Sequence, residues 1–247
     1  MARQAPDRYV APTVQRLRLR YAKRGRLRFS SHRDFQRALE RALRRAEVPM
    51  AYSAGFHPHP KVSYANSAPT GVASEAEYVE LGVSATCDPE AVRAALDAAL
   101  PEGLDVLDVV EARTPDFVNR LEASVWRVEL PGVPHDRAVA AVTALLAADE
   151  VIMERLMKNG LRTFDARGAV LAAQCAAPSD PDTDCAILTL VVRHGTPSVR
   201  PDDVLSALRR VADLVPPKPP RVTRLAQGPL DEAGTSVVDP LAPDRAG

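Results

Sequence analysis

Residues 14–46 read VQRLRLRYAKRGRLRFSSHRDFQRALERALRRA, and this stretch decides the fold of the first half of the chain. Between Val14 and Tyr21 apolar and basic side chains alternate at period two, which is the pattern of a half-buried strand. The period then changes, because Ser31 is a good helix N-cap and Asp34 occupies the capping-box position. One continuous apolar stripe at helical spacing follows, formed by Phe35, Ala38, Leu39, Ala42, Leu43 and Ala46. The stretch therefore predicts a strand followed by an amphipathic helix.

The rest of the chain repeats this succession of strand and helix patterns. Two short strand candidates follow the first helix, at residues 50–53 and 61–65. Strands predicted at residues 77–83 and 104–110 then flank a helix that opens at Asp88, which gives the order βαββαβ. The second half follows the same order with an added hairpin, predicted across Asn159 and Gly160 because Asn-Gly suits a tight primed turn. This order is that of the ferredoxin-like fold. We therefore expect an α+β protein of tandem ferredoxin-like (βαββαβ) domains.

The sequence also predicts where these domains begin and end. Residues 1–13 are polar and contain proline, and we expect a flexible N-terminal arm. Residues 14–115 form the first, basic ferredoxin-like domain, and residues 120–226 form the second, acidic one. Residues 227–247 are short of large apolar groups, which predicts a disordered C-terminal tail.

Charge is distributed unevenly along the chain although the formal net charge is zero. Residues 1–62 carry 15 Lys or Arg against 4 Asp or Glu, a balance of +11, so the remaining residues carry 17 against 28, a balance of −11. Electrostatic potential follows local charge density within a Debye length of about 8–10 Å. The basic block therefore indicates a surface that faces a polyanion.

Composition and motifs exclude several classes of protein. No apolar run approaches the roughly 20 residues of a membrane span, and the N-terminus lacks the apolar stretch of a secretory signal. Three sparse cysteines, Cys87, Cys175 and Cys185, fit a reducing compartment, so we expect a cytoplasmic protein with no membrane contact. Dinucleotide-binding, P-loop, serine-hydrolase and zinc-protease motifs are all missing, so no catalytic activity is indicated and no cofactor is expected.

Arginines dominate the residues that we predict to bind RNA. Guanidinium groups match phosphate oxygens bidentately, and aromatic rings can stack on unpaired bases. The predicted strand carries three arginines on its outward face, and the predicted helix carries five opposite its apolar stripe. The loop at residues 55–61 contributes a phenyl ring, two imidazoles and an ammonium group. The predicted nucleic-acid-binding residues are Arg16, Arg18, Arg20, Arg33, Arg37, Arg41, Arg44, Arg45, Phe56, His57, His59 and Lys61.

Histidines are the remaining chemical candidates. His57 and His59 have a spacing that could ligate zinc, but no third and fourth ligand lies nearby, so no metal is predicted. The 55–61 loop is expected instead to present polar groups on a backbone stiffened by two prolines. His32, at the helix start, is a candidate general acid–base for RNA cleavage, with Lys61 stabilising charge. The alternative is a cap-region histidine that forms local hydrogen bonds.

The motif from Gly25 to Ala46, followed by Pro49 to Lys61, resembles an uncharacterised family of radical-SAM-associated proteins. In many bacteria that domain is the C-terminal part of a radical SAM enzyme, and this chain resembles the stand-alone actinobacterial form. The resemblance covers residues 14–225 and implies a separate radical SAM protein as partner. Radical SAM enzymes hold their cluster on a CxxxCxxC triplet, which this chain lacks, so it resembles the partner and not the enzyme. The tandem pattern with a helix-start histidine is also similar to CRISPR repeat-processing endoribonucleases.

Three functions remain open from the sequence. The first is a radical-SAM-associated accessory protein that binds RNA through its basic N-terminal domain. The second is a protein–protein adaptor that docks a radical SAM enzyme without touching RNA. The third is a metal-independent endoribonuclease that uses His32 or the histidines of the 55–61 loop.

Overall fold

The structure is a computed structural model that describes residues 10–157, 160–176 and 184–245. The chain divides into two compact units. Unit 1 comprises Met1–Val118 together with Leu241–Gly247, and unit 2 comprises Asn119–Pro240. The C-terminal residues thus belong to the same unit as the basic N-terminal stretch.

Among its described residues, unit 1 contains four strands, two long α-helices and one short α-helix, besides short 3-10 segments. In chain order these are β1 (Gln15–Lys23), α1 (His32–Arg45), β2 (Val62–Ala65), β3 (Ala73–Val83), α2 (Pro89–Ala99), β4 (Val106–Glu111) and the C-terminal α6 (Ala242–Arg245). Every strand pair is antiparallel, with β1 between β4 and β3. Leu81 of β3 is aligned with Leu17 of β1 on one side and with Val62 of β2 on the other. The strand order is therefore β4-β1-β3-β2.

The core of unit 1 lies between the sheet and its two long helices. The apolar stripe of α1 is buried as predicted, and Phe35 and Leu39 pack with Leu17 and Leu19 of β1. Because side chains of a strand alternate between its two faces, the arginines of β1 lie on the opposite face from α1. The sheet itself therefore separates the strand arginines from the helix arginines.

Unit 2 has the same strand order as unit 1. Its elements are β5 (Ala123–Pro131), α3 (His135–Ala147), β6 (Ile152–Met157), β7 (Gly160–Asp165), α4 (Ala166–Ala169), β8 (Val170–Ala176), β9 (Cys185–Arg193), α5 (Pro201–Ala212) and β10 (Arg221–Gly228). Antiparallel pairing gives the order β10-β5-β9-β8. The predicted hairpin is present as the antiparallel pair of β6 and β7, while Lys158 and Asn159 of its turn lie outside the described residues.

The observed architecture is α+β with mostly antiparallel strands, in agreement with the predicted class. The finer description, tandem ferredoxin-like domains, stays a prediction. Strand β8 was not expected, because its sequence Val170-Leu-Ala-Ala-Gln-Cys-Ala176 is rich in alanine and has little alternation. Among helices within the described ranges, none combines the length and the apolar character that a membrane span requires.

The C-terminal segment differs from the disordered tail predicted for residues 227–247. Leu230 forms an isolated bridge with Val237, and Leu241 is completely buried. Asp244 of α6 is also buried, and its carboxylate accepts a hydrogen bond from Arg18. Composition did not reveal this order because the partner of Asp244 lies 226 residues away in the chain. Of the predicted N-terminal arm, residues 1–9 lie outside the described residues.

Candidate nucleic-acid interface

Five exposed arginines lie on the face of α1 turned away from the core, and we name this set the arginine face: Arg33, Arg37, Arg41, Arg44 and Arg45. Arg45 donates a hydrogen bond to the backbone oxygen of Ala99. Within the described part of the chain, none of the other four has a carboxylate within 4 Å. Their guanidinium groups are therefore available to an anionic ligand.

The start of α1 has the predicted capping box. The backbone N–H of Asp34 donates to the Ser31 hydroxyl at 3.2 Å, and the Ser31 N–H donates to the Asp34 carboxylate at 3.2 Å. Hydrogen bonds from Ser31, assisted by the nearby charge of Arg37, lower the pKa of Asp34. The one carboxylate in the first turn is thereby committed to the helix start, which leaves the arginine face basic.

A short 3-10 helix, Gly25–Phe29, places further exposed groups directly before α1. Leu27 and Phe29 continue the apolar alternation of β1 in the sequence, but the chain forms a 3-10 helix here. Phe29 is 59% exposed, and the guanidinium carbon of Arg28 lies 4.6 Å from the centre of its ring. Arg26, Arg28 and Phe29 were missed from the sequence. Their position between β1 and α1, which are both rich in arginine, could have indicated that they belong to the same basic surface.

The strand arginines require a correction. The side chain of Arg18 is only 4% exposed, and it donates to Glu80 at 3.0 Å and to Asp244 at 2.6 Å. The guanidinium of Arg18 is not presented to solvent as the alternation had suggested, because Asp244 of α6 and Glu80 of β3 supply its partners, and Arg18 is therefore removed from the candidate interface. Arg20 is half-buried and donates to the backbone oxygen of Glu75 at 2.8 Å, and its role in the interface stays a prediction.

Arg16 differs from its two neighbours on β1 and lines a groove in unit 1. Its side chain is 65% exposed and reaches Glu80 at 3.4 Å. The groove has a volume of about 390 Å³, and its lining includes Thr13, Arg16, Ser53, His59, Lys61 and Glu80. Three predicted site residues, Arg16, His59 and Lys61, are thus brought together, but on the face of the sheet opposite α1.

The 55–61 loop is held at its base by backbone hydrogen bonds. The N–H of Ser53 donates to the His59 oxygen at 2.9 Å, and the N–H of Lys61 donates to the Ala51 oxygen at 2.8 Å. Gly55 has φ +122, a conformation that other residues rarely adopt. At the loop tip Phe56 is 49% exposed and His57 is also exposed, so both lie open to a ligand.

His32 is the first residue of α1 and lies against other side chains. Its Nε2 is 3.1 Å from the amide nitrogen of Gln36, and its ring meets Tyr64 edge to face at 4.7 Å. Burial, with a contribution from Glu40, raises the pKa of Tyr64 to about 12. His32 therefore contacts an amide and an aromatic ring, and among the described residues no carboxylate is hydrogen-bonded to it to orient it as a general base.

The sequence predicts no metal at His57 and His59, because no third and fourth ligand lies near them in the chain. Across residues 10–157, 160–176 and 184–245, no three His, Cys, Asp or Glu side chains lie together as ligands. Both imidazoles are exposed, and the backbone N–H of His59 donates to Ser53. The absence of a metal cofactor stays a prediction.

Comparison with known proteins identifies a family without giving an activity. The family model described as "Uncharacterized protein conserved in bacteria (DUF2344)" matches residues 16–201. No curated protein matches the chain. Among solved structures, a crystal structure of an unknown protein from Galdieria sulphuraria is 17% identical, covering 85% of this chain and 96% of that chain with a TM-score of 0.25. A likeness at this level carries no functional information.

Proposed function

The chain belongs to the family of uncharacterized proteins conserved in bacteria (DUF2344), and from this premise we propose that it is an accessory protein that binds RNA through the arginine face. The observation that carries this proposal is a set of four exposed arginines that have no carboxylate within 4 Å among the residues described by the structure: Arg33, Arg37, Arg41 and Arg44. A solvated helix usually interleaves acids with its arginines. The apolar face of α1 is buried in the core, and its exposed face carries arginines. This concentration of positive charge favours a polyanionic ligand.

The geometry of α1 supports contact with a single strand. Residues four apart on a helix are separated by about 6 Å along its axis. Arg33, Arg37 and Arg41 have this spacing, so a strand that runs along the helix meets one guanidinium after another. Guanidinium forks bind phosphate oxygens bidentately. Sequence-independent affinity would follow from these contacts.

Exposed rings favour nucleic acid over a polyanion that lacks bases. Phe29, just before α1, is exposed and already has an arginine over its ring. Base–aromatic stacking contributes about 1–3 kcal/mol per base in single-strand binding proteins. Unpaired RNA offers both the phosphates and the free bases that such a surface would bind.

The finer fold also belongs to the proposal. We infer that both units are ferredoxin-like, since each has the element order βαββαβ within it and each has antiparallel strands in the same relative order. In such domains helices cover one face of the sheet. The arginine face would then be the outer surface of the first covering helix.

The partner in the proposal is a separate radical SAM protein. Its support is the resemblance of Gly25–Lys61 to radical-SAM-associated proteins, together with the lack of a CxxxCxxC triplet in this chain. In this arrangement the accessory protein would hold RNA while the partner supplies the chemistry. The RNA contact can be tested without knowing the partner.

The test is charge reversal on the arginine face. Four phosphates neutralised by Arg33, Arg37, Arg41 and Arg44 on a single strand predict that log affinity falls with log salt at a slope of about −3. Arg37→Glu combined with Arg41→Glu should weaken binding of a labelled single-stranded RNA and flatten the slope by about 1 or more. Fluorescence anisotropy across a salt series measures both quantities.

The matched control places the same charge change in unit 2. Arg193 and Arg209 are exposed and also have no carboxylate within 4 Å in the described ranges, so Arg193→Glu with Arg209→Glu should leave affinity and slope close to wild type. If the Arg37 and Arg41 variant binds as well as the parent, the adaptor function replaces RNA binding. A defined RNA cut that His32→Ala abolishes would instead support the endoribonuclease.

A further inference from the structure

The groove beside the 55–61 loop is lined by cationic, hydroxyl and imidazole side chains together with the carboxylate of Glu80. Glu80 and Gly82 alternate with Leu81, which packs in the core, so the groove lies on the sheet face opposite α1. Its volume of about 390 Å³ falls within the range of small-molecule sites, roughly 300–1,000 Å³. It is therefore a separate place from the arginine face.

Gly82 forms part of the groove lining, and its backbone is hydrogen-bonded to Ala51 and Lys61, which lie on either side of the 55–61 loop tip. Its N–H donates to the Lys61 oxygen at 2.8 Å, and its own oxygen accepts from the Ala51 N–H at 2.8 Å. A Cβ at this position would stand 3.2 Å from Lys61 Cβ and 3.2 Å from Thr13 Cγ2. These contacts are tighter than usual, so a side chain at this position would push Lys61 and Thr13 by a few tenths of an ångström and narrow the groove between them.

The groove is rich in hydrogen-bond donors and has a surplus of positive charge. Lys61 Nζ donates to the neutral Thr13 hydroxyl at 3.0 Å, so its charge is not compensated by that partner. Glu80 is already bound by the buried Arg18 at 3.0 Å, while Arg16 reaches it only at 3.4 Å. Most of the five N–H donors of the Arg16 guanidinium are therefore free to meet acceptor oxygens.

We propose that this groove binds a phosphomonoester group between Arg16 and Lys61, with His59 and the hydroxyl groups of the lining as further hydrogen-bond partners. A terminal phosphate carries about −1.5 to −2 charge and three acceptor oxygens. Those properties match a lining that offers the donors of two cationic side chains, Arg16 and Lys61, against one carboxylate, Glu80. The phosphate can belong to a free nucleotide or to the 5′ end of an RNA.

The experiment titrates the full chain with inorganic phosphate, with AMP and with adenosine by isothermal calorimetry. We expect AMP and phosphate to bind and adenosine to bind at least about tenfold more weakly than AMP. Arg16→Gln with Lys61→Gln removes both positive charges that would contact the phosphate, so AMP binding should weaken about tenfold or more. A tenfold loss of affinity corresponds to about 1.4 kcal/mol. Gly82→Ala narrows the groove without changing charge and should also weaken AMP.

Arg209→Gln in unit 2 is the charge control and should bind AMP like wild type. Circular dichroism melting of each variant checks that it folds. If neither phosphate nor AMP binds wild type at millimolar concentration, or if the Arg16 and Lys61 variant binds AMP unchanged, the proposal is overturned.

A second arm separates the two sources of the phosphate. If the source is an RNA end, a 5′-phosphorylated oligonucleotide should bind about tenfold more tightly than its 5′-hydroxyl form, and the Arg16 and Lys61 variant should lose this preference. Equal affinity of the two forms, with AMP binding intact, assigns the groove to a free nucleotide. The Arg37→Glu and Arg41→Glu variant should keep AMP binding, so failure of RNA binding on the arginine face leaves this site standing.

Discussion

Replacing Asp244 with Ala should destabilise unit 1, because this carboxylate is buried against Arg18. The side chains of Asp244 and Arg18 are 0% and 4% exposed, and their ion pair measures 2.6 Å. The other Asp244 oxygen accepts the backbone N–H groups of Arg113 at 3.1 Å and Thr114 at 3.0 Å. Breaking a buried ion pair by removing one partner costs about 3–5 kcal/mol. Because Arg18 keeps Glu80 and the Thr114 oxygen, we expect about 3 kcal/mol.

The assay is chemical denaturation followed by far-ultraviolet circular dichroism. The only tryptophan, Trp126, belongs to β5 of unit 2, so its fluorescence would report on the wrong unit. Glu90→Ala is the matched control, since Glu90 forms an ion pair with Arg93 on the exposed surface of α2. An exposed pair of this kind contributes little to stability, because water screens the two charges. A cost for Asp244→Ala within about 1 kcal/mol of the control would refute the reasoning.

The same carboxylate predicts a dependence of stability on pH. Burial by itself would raise the pKa of Asp244, but hydrogen bonds from Thr114 and Arg18 outweigh it and lower the pKa. The stabilisation is therefore present above the unfolded pKa, about 3.9, and is lost as pH falls through the lower folded pKa. Asp244→Asn should lack this acid-dependent loss, which denaturation at pH 7 and below pH 4 would measure.

Two further predictions concern unit 2. Burial is the main cause of the lowered pKa of His194, whose Nδ1 is 2.6 Å from the Leu121 oxygen. As pH falls, the imidazole of the unfolded chain takes up a proton at a higher pH than the folded imidazole does, so stability should decrease below about pH 6.5. His194→Gln should remove that part of the pH dependence in melting curves. At Gly228 a Cβ would lie 2.2 Å from the Val238 oxygen, so Gly228→Ala should cost about 1–3 kcal/mol or more in denaturation. Gly195→Ala, whose nearest neighbouring atom is 4.0 Å away, should be close to neutral, and equal effects of the two would contradict the steric argument.

Helix α1 was predictable in detail from the sequence because its determinants are local. The N-cap Ser31 and Asp34 lie three residues apart and form the predicted capping box. Phe35, Leu39 and Leu43 recur at the helical period, so one face had to be buried and the arginine face had to be exposed. The strand at β1 followed from local periodicity in the same way, and the α+β class followed from the order of the predicted elements.

The predicted RNA surface was altered by contacts between distant parts of the chain. Period-two alternation shows that Arg16, Arg18 and Arg20 share a face, but it does not show what covers that face. Asp244 and Glu80 supply the partners of Arg18 across 226 and 62 residues, and they convert a predicted RNA contact into a buried ion-pair network. The ordered C-terminal segment was missed for the same reason.

Sequence by itself determined most of the helices and strands, the α+β class and the exposed charge of α1, since propensity, capping and periodicity act within a few residues. The tertiary structure alone decided which cations remain free. It placed the β1 arginines on the opposite side of the sheet from α1, buried Arg18, and joined Arg16 to Lys61 in one groove. The physical reason is that burial and ion pairing depend on which distant residues pack together, and no local pattern records that choice.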